Sequence, residues 1–148
     1  VSLSLMLFGV ATVIGNLLGG RLADTLGTRR ALQVVLVGLA FSLAALPFTA
    51  SQASAMFANL FAWGVFAFAI SPIVQAGVVA TAQAEAPDAV GTASGFNIAA
   101  FNLGIAAASF VGGILVAGPG LLVTPWAALG ATLVALAIVQ RSGRVSRA

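Results

Sequence analysis

The sequence contains no cysteine and no histidine, and the two absences exclude several kinds of chemistry. Without cysteine the chain forms no disulfide and offers no thiolate nucleophile. Without histidine it lacks the commonest general base and, with cysteine also absent, the usual zinc ligands. We therefore expect no metal, no cofactor and no enzymatic activity.

Charged residues are nearly as scarce. Only 6% of the 148 residues are charged and 61% are hydrophobic, too few polar groups to cover the outside of a water-soluble domain. Residues 31–56 contain no charge at all, which exceeds the roughly 20 residues that a helix needs to cross a bilayer. The alternation of a membrane β-strand is missing. The composition predicts an all-α membrane protein.

Five apolar segments are long enough to be membrane spans, and together they form a single domain over residues 1–148. Charges, prolines and glycines delimit them at residues 4–20, 31–49, 54–82, 91–117 and 123–140. The third and fourth are longer than a perpendicular crossing needs, so we expect tilting, a bend near Pro72, or extension into the interface. The first span has no basic segment before it and does not resemble a signal peptide. Because it starts at residue 1, we expect the sequence to continue a longer protein on its N-terminal side.

The basic residues indicate the orientation in the membrane. Six arginines outnumber three acidic residues, a balance often found in nucleic-acid-binding proteins, but the arginines form two clusters that flank spans: Arg21, Arg29 and Arg30, and Arg141, Arg144 and Arg147. Positive residues favour the cytoplasmic side. Four crossings separate the clusters, so both can face the cytoplasm. We expect a multi-pass protein of the bacterial cytoplasmic (inner) membrane, with a cytoplasmic C-terminus and no nucleic-acid partner.

Side-chain amides inside the spans are the most informative polar residues, since an amide in lipid needs a hydrogen-bond partner or a water-lined cavity. They occur in the first, third and fourth spans. Phe101 shares a helix face with Ser94 and Asn97, whereas Asn102 lies about 140° around the helix from Asn97. Two interpretations remain open, helix-to-helix bonding and a solute cavity. The candidate cavity residues are Asn16, Asn59, Gln75, Asn97, Phe101 and Asn102.

Small residues recur at intervals of four, a spacing that lets membrane helices approach closely. Gly15 and Gly19 form such a pair in the first span. The fourth span carries a longer series, for which we also predict helix packing: Ala100, Gly104, Ala108 and Gly112. Aromatic residues of the third span either pack against neighbours or line a pocket for an amphiphilic molecule.

The segment after the first span reads GRLADTLGTRRAL over residues 20–32. It resembles the G-x-L-a-D-r-x-G-r-[RK]-x-x-l loop signature of the major facilitator superfamily. Residues 85–88, EAPD, and the helix that follows, with GFNIAAFNLG at 95–104, are similar to the eleventh helix of sugar-efflux and chloramphenicol-resistance-type permeases, which are drug:proton antiporters. The five spans then resemble helices eight to twelve of a twelve-helix transporter, a partial second six-helix half.

The resemblance implies proton-coupled efflux of a small organic solute, a drug or a sugar, by alternating access. It also implies three partners: the lipid bilayer, the N-terminal half of the transporter, and protons as coupling ion. The loop would serve as a conformational latch that bridges to the other half through Gly20, Arg21, Asp24, Gly27, Arg29 and Arg30. Gly20 and Gly27 would allow a tight connection.

Two alternatives differ from transport. A membrane scaffold or assembly subunit would keep the amides between helices but would not need Asp24, and a truncated gene would leave a non-functional remnant. The acidic residues Asp24, Glu85 and Asp88 all lie at span ends, so a proton-coupling group, which belongs within the membrane, is expected in the N-terminal half.

Overall fold

A computed structural model describes the backbone of residues 2–145 and the side chains of residues 5–142. Arg147, and the side chain of Arg144, lie outside the described residues. The described part contains no strand and five long helices: α1 (Ser2–Leu26), α2 (Thr28–Thr49), α3 (Ala53–Glu85), α4 (Val90–Ala117) and α5 (Thr124–Val145). Single turns of 3-10 helix, Pro87–Ala89 and Leu121–Val123, precede α4 and α5. Each long helix is apolar and long enough to cross a membrane, which confirms the predicted all-α membrane fold.

The connection between α1 and α2 differs from the predicted loop. Residues 21–26 continue α1, and Gly27 alone separates the two helices. Gly27 has φ 76° and ψ 152°, a backbone conformation that is essentially confined to glycine. Gly20 lies inside α1 and takes no part in the turn, so its predicted role in a tight connection was wrong. Arg21 and Asp24 end the apolar run of the first span, but charge does not end a helix that has left the hydrocarbon core.

Helix α3 lies at the centre of the bundle and contacts α1, α2 and α4. It continues through Pro72 as one helix of 33 residues. Gly15 and Gly19 bring the backbone of α1 directly onto α3. A Cβ atom at Gly15 would come within 2.5 Å of the Val65 carbonyl oxygen, and one at Gly19 would overlap the Ala69 carbonyl oxygen. Phe8 of α1 fills the space beside them by stacking on Trp63, with ring centroids 5.5 Å apart.

The most buried cluster lies where α1, α2 and α3 meet beside Gly27. Ile73 and Ala31 are completely buried there, and Val35 nearly so. Phe66 of α3 packs against this cluster, and its ring rests against Gly38 of α2, where any side chain on residue 38 would collide with it. Close packing of small and large residues fixes these three helices against one another.

The last two helices lie at the margins. α4 packs against α3, and none of its residues is buried within the described chain. α5 packs along α2 instead. The α1–α2 connection and the C-terminal part of α5 lie at the same end of the bundle, which we call the arginine end.

Candidate functional site

The clearest concentration of polar side chains at membrane depth lies in a groove between α3 and α4, which we call the amide groove. It encloses about 510 Å³. Helix α3 contributes two polar residues, and α4 contributes two asparagines with three apolar residues. The lining consists of Ser71, Gln75, Asn97, Ile98, Phe101, Asn102 and Ile105.

A hydrogen bond between two amides joins the walls of the amide groove. Asn97 Nδ2 donates to Gln75 Oε1 at 2.6 Å. A side-chain bond of this kind holds membrane helices together for about 1 kcal/mol. It uses one donor of Asn97 and one acceptor position of Gln75, so both amides keep groups that face the groove. The arrangement therefore combines helix-to-helix bonding with a polar surface, the two interpretations that the sequence left open.

The other α4 residues of the groove extend around the helix from Asn97. Phe101, one turn further along, is partly buried, while Asn102 is exposed at the outer edge. This agrees with their angular separation, since only Asn97 can reach α3. Ser71 is not among the candidate cavity residues, although the sequence places it one turn before Gln75 on the same face of α3.

Two of the candidate cavity residues lie elsewhere. Asn59 is buried between α3 and α2, where Nδ2 donates to the Ser42 carbonyl oxygen at 3.1 Å and to Thr49 Oγ1 at 3.2 Å. Its amide is used between helices and does not line the amide groove. Asn16 is exposed on α1 and donates within its own helix, to the Thr12 carbonyl oxygen at 3.0 Å.

The aromatic residues of α3 serve packing. Trp63 stacks on Phe8, and Phe68 meets the same Phe8 ring edge-on with centroids 5.4 Å apart. Trp63 also borders a separate apolar cavity of about 540 Å³ at the end of the bundle opposite the arginine end. Leu43, Pro47 and Met56 line that cavity from α2 and α3. It offers little to orient a polar solute.

At the arginine end, the residues of the expected latch separate into two groups. Arg29 donates from Nε to the Val139 carbonyl oxygen at 3.2 Å and from Nη2 to that of Gln140 at 2.9 Å. Both acceptors belong to α5, so this guanidinium is engaged within the chain. Arg21, Asp24 and Arg30 are exposed and point to no described partner helix. Their latch role remains a prediction.

The small residues of α4 face open space. No described atom lies within 4 Å of a Cβ atom built on Gly104 or Gly112, and Ala108 is exposed. The packing predicted for this series has no partner in the described part of the chain. Gly15 and Gly19, by contrast, lie against α3. No cluster of acidic side chains within the described residues could hold a metal ion.

Comparison with known proteins adds the family. A profile described as Major Facilitator Superfamily matches residues 1–146. The chain is 37% identical over 139 residues to the uncharacterized MFS-type transporter YtbD of Bacillus subtilis (strain 168), covering 94% of this chain and 34% of that protein. It is also 37% identical over 140 residues to the inner membrane transport protein YdhP of Escherichia coli (strain K12), with the same coverage of both proteins.

A more distant relative is the uncharacterized MFS-type transporter YfhI of Bacillus subtilis (strain 168), 29% identical over 117 residues, which are 79% of this chain and 28% of YfhI. The chain thus spans about a third of the length of the curated relatives it matches. No solved structure gives a significant match. With the profile match over nearly its whole length, the chain belongs to the major facilitator superfamily.

Proposed function

We propose that this chain is part of a secondary transporter that exports a small organic solute, a drug or a sugar, across the bacterial cytoplasmic membrane by alternating access. The observation that carries the proposal is the Asn97–Gln75 hydrogen bond within a groove lined by three amides and one hydroxyl at membrane depth. Polar groups in the hydrocarbon region are costly and mark solute pathways. The amide groove is therefore our candidate for this chain's share of the solute site.

The proposal needs a partner for the exposed faces of the bundle. No residue of α4 is buried, and α1 exposes Leu5, Val13 and Leu17 beside Asn16. The matched relatives are about three times as long as this chain, and we propose that the remaining length supplies further helices. We propose that the N-terminal half covers these faces and closes the groove, and that the spans correspond to helices eight to twelve.

Protons are the proposed coupling ion, by resemblance to drug:proton antiporters. The described carboxylates do not supply the coupling group. Asp24 lies in the last turn of α1, Glu85 ends α3, and Asp88 lies in the 3-10 turn before α4. All three are exposed at helix ends. The coupling group is thus proposed to belong to the N-terminal half.

The proposed orientation places the arginine end in the cytoplasm. Arg29 joins the α1–α2 connection to the C-terminal part of α5, so these two regions share one side of the membrane. Cysteine labelling from the outside of intact cells tests the side. We expect Thr25→Cys to be protected and Ser51→Cys, between α2 and α3, to react.

Transport is tested with the full-length protein in proteoliposomes. A candidate solute is found by screening toxic compounds against cells that produce the protein. A proton gradient should drive transport of this solute in exchange for protons, and an uncoupler should stop the transport. Gln75→Ala should raise the half-saturating concentration several-fold, whereas Gln83→Ala, on the same helix but outside the groove, should not. Flux that is insensitive to uncouplers would contradict proton coupling.

The alternative of a membrane scaffold makes a different prediction for Asp24. This residue is exposed and contributes nothing to the buried core, so Asp24→Asn should leave the folded protein intact. We expect the variant to be produced normally and to lose most of its flux, because the latch role requires the charge. Normal flux in Asp24→Asn would contradict the latch role of Asp24. No flux in the unaltered protein would favour the scaffold.

A further inference from the structure

The amide groove contains no charged side chain. Its lining is one hydroxyl, three amides and three apolar residues. The nearest carboxylate along α3 is Glu85, ten residues and about 15 Å beyond Gln75 along the helix axis. An ionised group transferred from water into such a site meets no opposite charge on these walls, and its desolvation is not offset. The walls that this chain contributes thus offer no charge to offset the desolvation of a cation or an anion.

The amide pair leaves a defined set of hydrogen-bonding groups. The bond from Asn97 Nδ2 to Gln75 Oε1 fixes both side chains relative to each other. Asn97 Oδ1 retains its acceptor capacity, and Gln75 Nε2 retains its donors. Because both side chains line the amide groove, these free groups border the same space. They complement a ligand group that carries one donor and one acceptor together.

The remaining walls suit an apolar body attached to that group. Phe101 lies one turn beyond Asn97, and Ile98 and Ile105 border the same groove. Aromatic and aliphatic side chains around a few polar groups are typical of sites for small organic molecules. A planar ring attached to the polar group can rest against Phe101.

We infer that the amide groove selects electrically neutral solutes that present an adjacent donor and acceptor, of which a carboxamide on an apolar body is the simplest, with Gln75 and Asn97 as the recognising residues. The inference rests on the proposed function, since it assigns a substrate class to the proposed solute site. It goes further by naming neutral solutes as the class that this chain's walls favour.

A series of three probes of equal size isolates the charge. Benzamide is neutral, benzamidine is cationic and benzoate is anionic at neutral pH, and all three carry the same ring. The full-length protein, freed of any cysteine, receives Ser71→Cys at the groove, and the rate of maleimide labelling is measured in membranes. We expect benzamide to halve the rate at a concentration about tenfold below that of either charged probe, the ratio that corresponds to about 1.4 kcal/mol.

A charge introduced at the amide pair gives the sharper test. Asn97→Asp changes one atom type and keeps the shape, so it should shift the preference from benzamide towards benzamidine. Gln83→Glu places the same charge on α3 outside the groove and should leave the order unchanged. A reversal with both variants would show a general effect of surface charge and would overturn the assignment to Asn97.

The outcomes separate the inference from the proposed function. If benzamidine or benzoate protects Ser71→Cys better than benzamide in the otherwise unaltered protein, the groove is a solute site but not a neutral one, and the inference fails alone. If no probe protects the cysteine, the inference fails, and flux of the screened solute in proteoliposomes then decides whether the transport proposal survives.

Discussion

The guanidinium group of Arg29 donates to the backbone carbonyl oxygen of Gln140 at 2.9 Å, so the first turn of α2 holds the C-terminal part of α5. A second bond, from Nε to the carbonyl oxygen of Val139, makes the contact bidentate. The planar guanidinium carries its donors in a fixed fork, which suits two successive carbonyl groups. The positive charge also lies near the negative end of the helix dipole. Arg29 is therefore a link between helices of this chain.

Replacing Arg29 should loosen α5. A hydrogen bond from a charged group contributes about 1.5 to 3 kcal/mol, and solvent exposure reduces this, so we expect Arg29→Ala to cost about 1 kcal/mol. Thermal unfolding of the purified full-length protein in detergent measures the loss. Arg29→Lys should be nearly as unstable as Arg29→Ala, since a compact ammonium group cannot donate to two successive carbonyl groups as the guanidinium does. Arg30→Ala removes a neighbouring charge with no described partner and should melt like the unaltered protein; equal losses would contradict the specific link.

Gly19 should tolerate no side chain. A Cβ atom there would overlap the Ala69 carbonyl oxygen and come within 2.7 Å of Pro72 Cγ. Overpacking of this kind typically costs about 1 to 3 kcal/mol, so Gly19→Ala should melt at a lower temperature. Gly20→Ala is the matched control, because nothing lies within 4 Å of its Cβ position. If both variants melted alike, α1 would not be seated on α3 as described.

Asn59 should matter for stability and not for solute affinity. Removing its amide breaks the bonds to Ser42 and Thr49, at a cost of about 1 kcal/mol. We expect Asn59→Ala to lower the melting temperature while the half-saturating solute concentration in proteoliposomes stays unchanged. Asn97→Ala should raise that concentration. A raised half-saturating concentration in Asn59→Ala would indicate that Asn59 does line the solute cavity.

Substitution of Gly27 should destabilise the protein through its backbone conformation alone. Its Cβ position is open, but its φ of 76° costs an L-residue about 1 to 2 kcal/mol. Gly27→Ala and Gly27→Asn should therefore both be destabilised, because ψ of 152° lies outside the left-handed helical region that asparagine tolerates. Gly91→Ala, equally open and without positive φ, provides the control. Variants at Gly27 that melt like the unaltered protein would argue against backbone strain.

The sequence predicts which segments form helices, but it does not predict which helices contact one another. Long uncharged runs specify membrane spans because the bilayer requires them. The sequence predicts a loop from residue 21 onwards, whereas Arg21 and Asp24 mark only the end of the apolar part of α1, which continues to Leu26. A charged turn continues a helix at no cost once it reaches water.

The roles of the amides could not be separated in advance. Asn59 and Gln75 lie on one helix, and composition treats them alike. Asn59 turns towards α2 and meets Thr49, while Gln75 turns towards α4 and meets Asn97. Which partner an amide finds depends on the rotation of each helix about its axis, and that rotation is set by packing at positions such as Gly15 and Gly38. Single-sequence spacing places residues on a face but does not identify the facing helix.

The direct backbone contact at Gly15 and Gly19 has a mechanical consequence. Flexible side chains between two helices can absorb a small displacement of one of them. Here the carbonyl oxygens of α3 contact the backbone of α1 directly, without side chains between them. A displacement of α3 should therefore move α1 with it, so that the two helices behave as one rigid unit. α1 ends beside Gly27, at the arginine end. The unit of α1 and α3 therefore extends from the amide groove to the place where Arg29 binds α5.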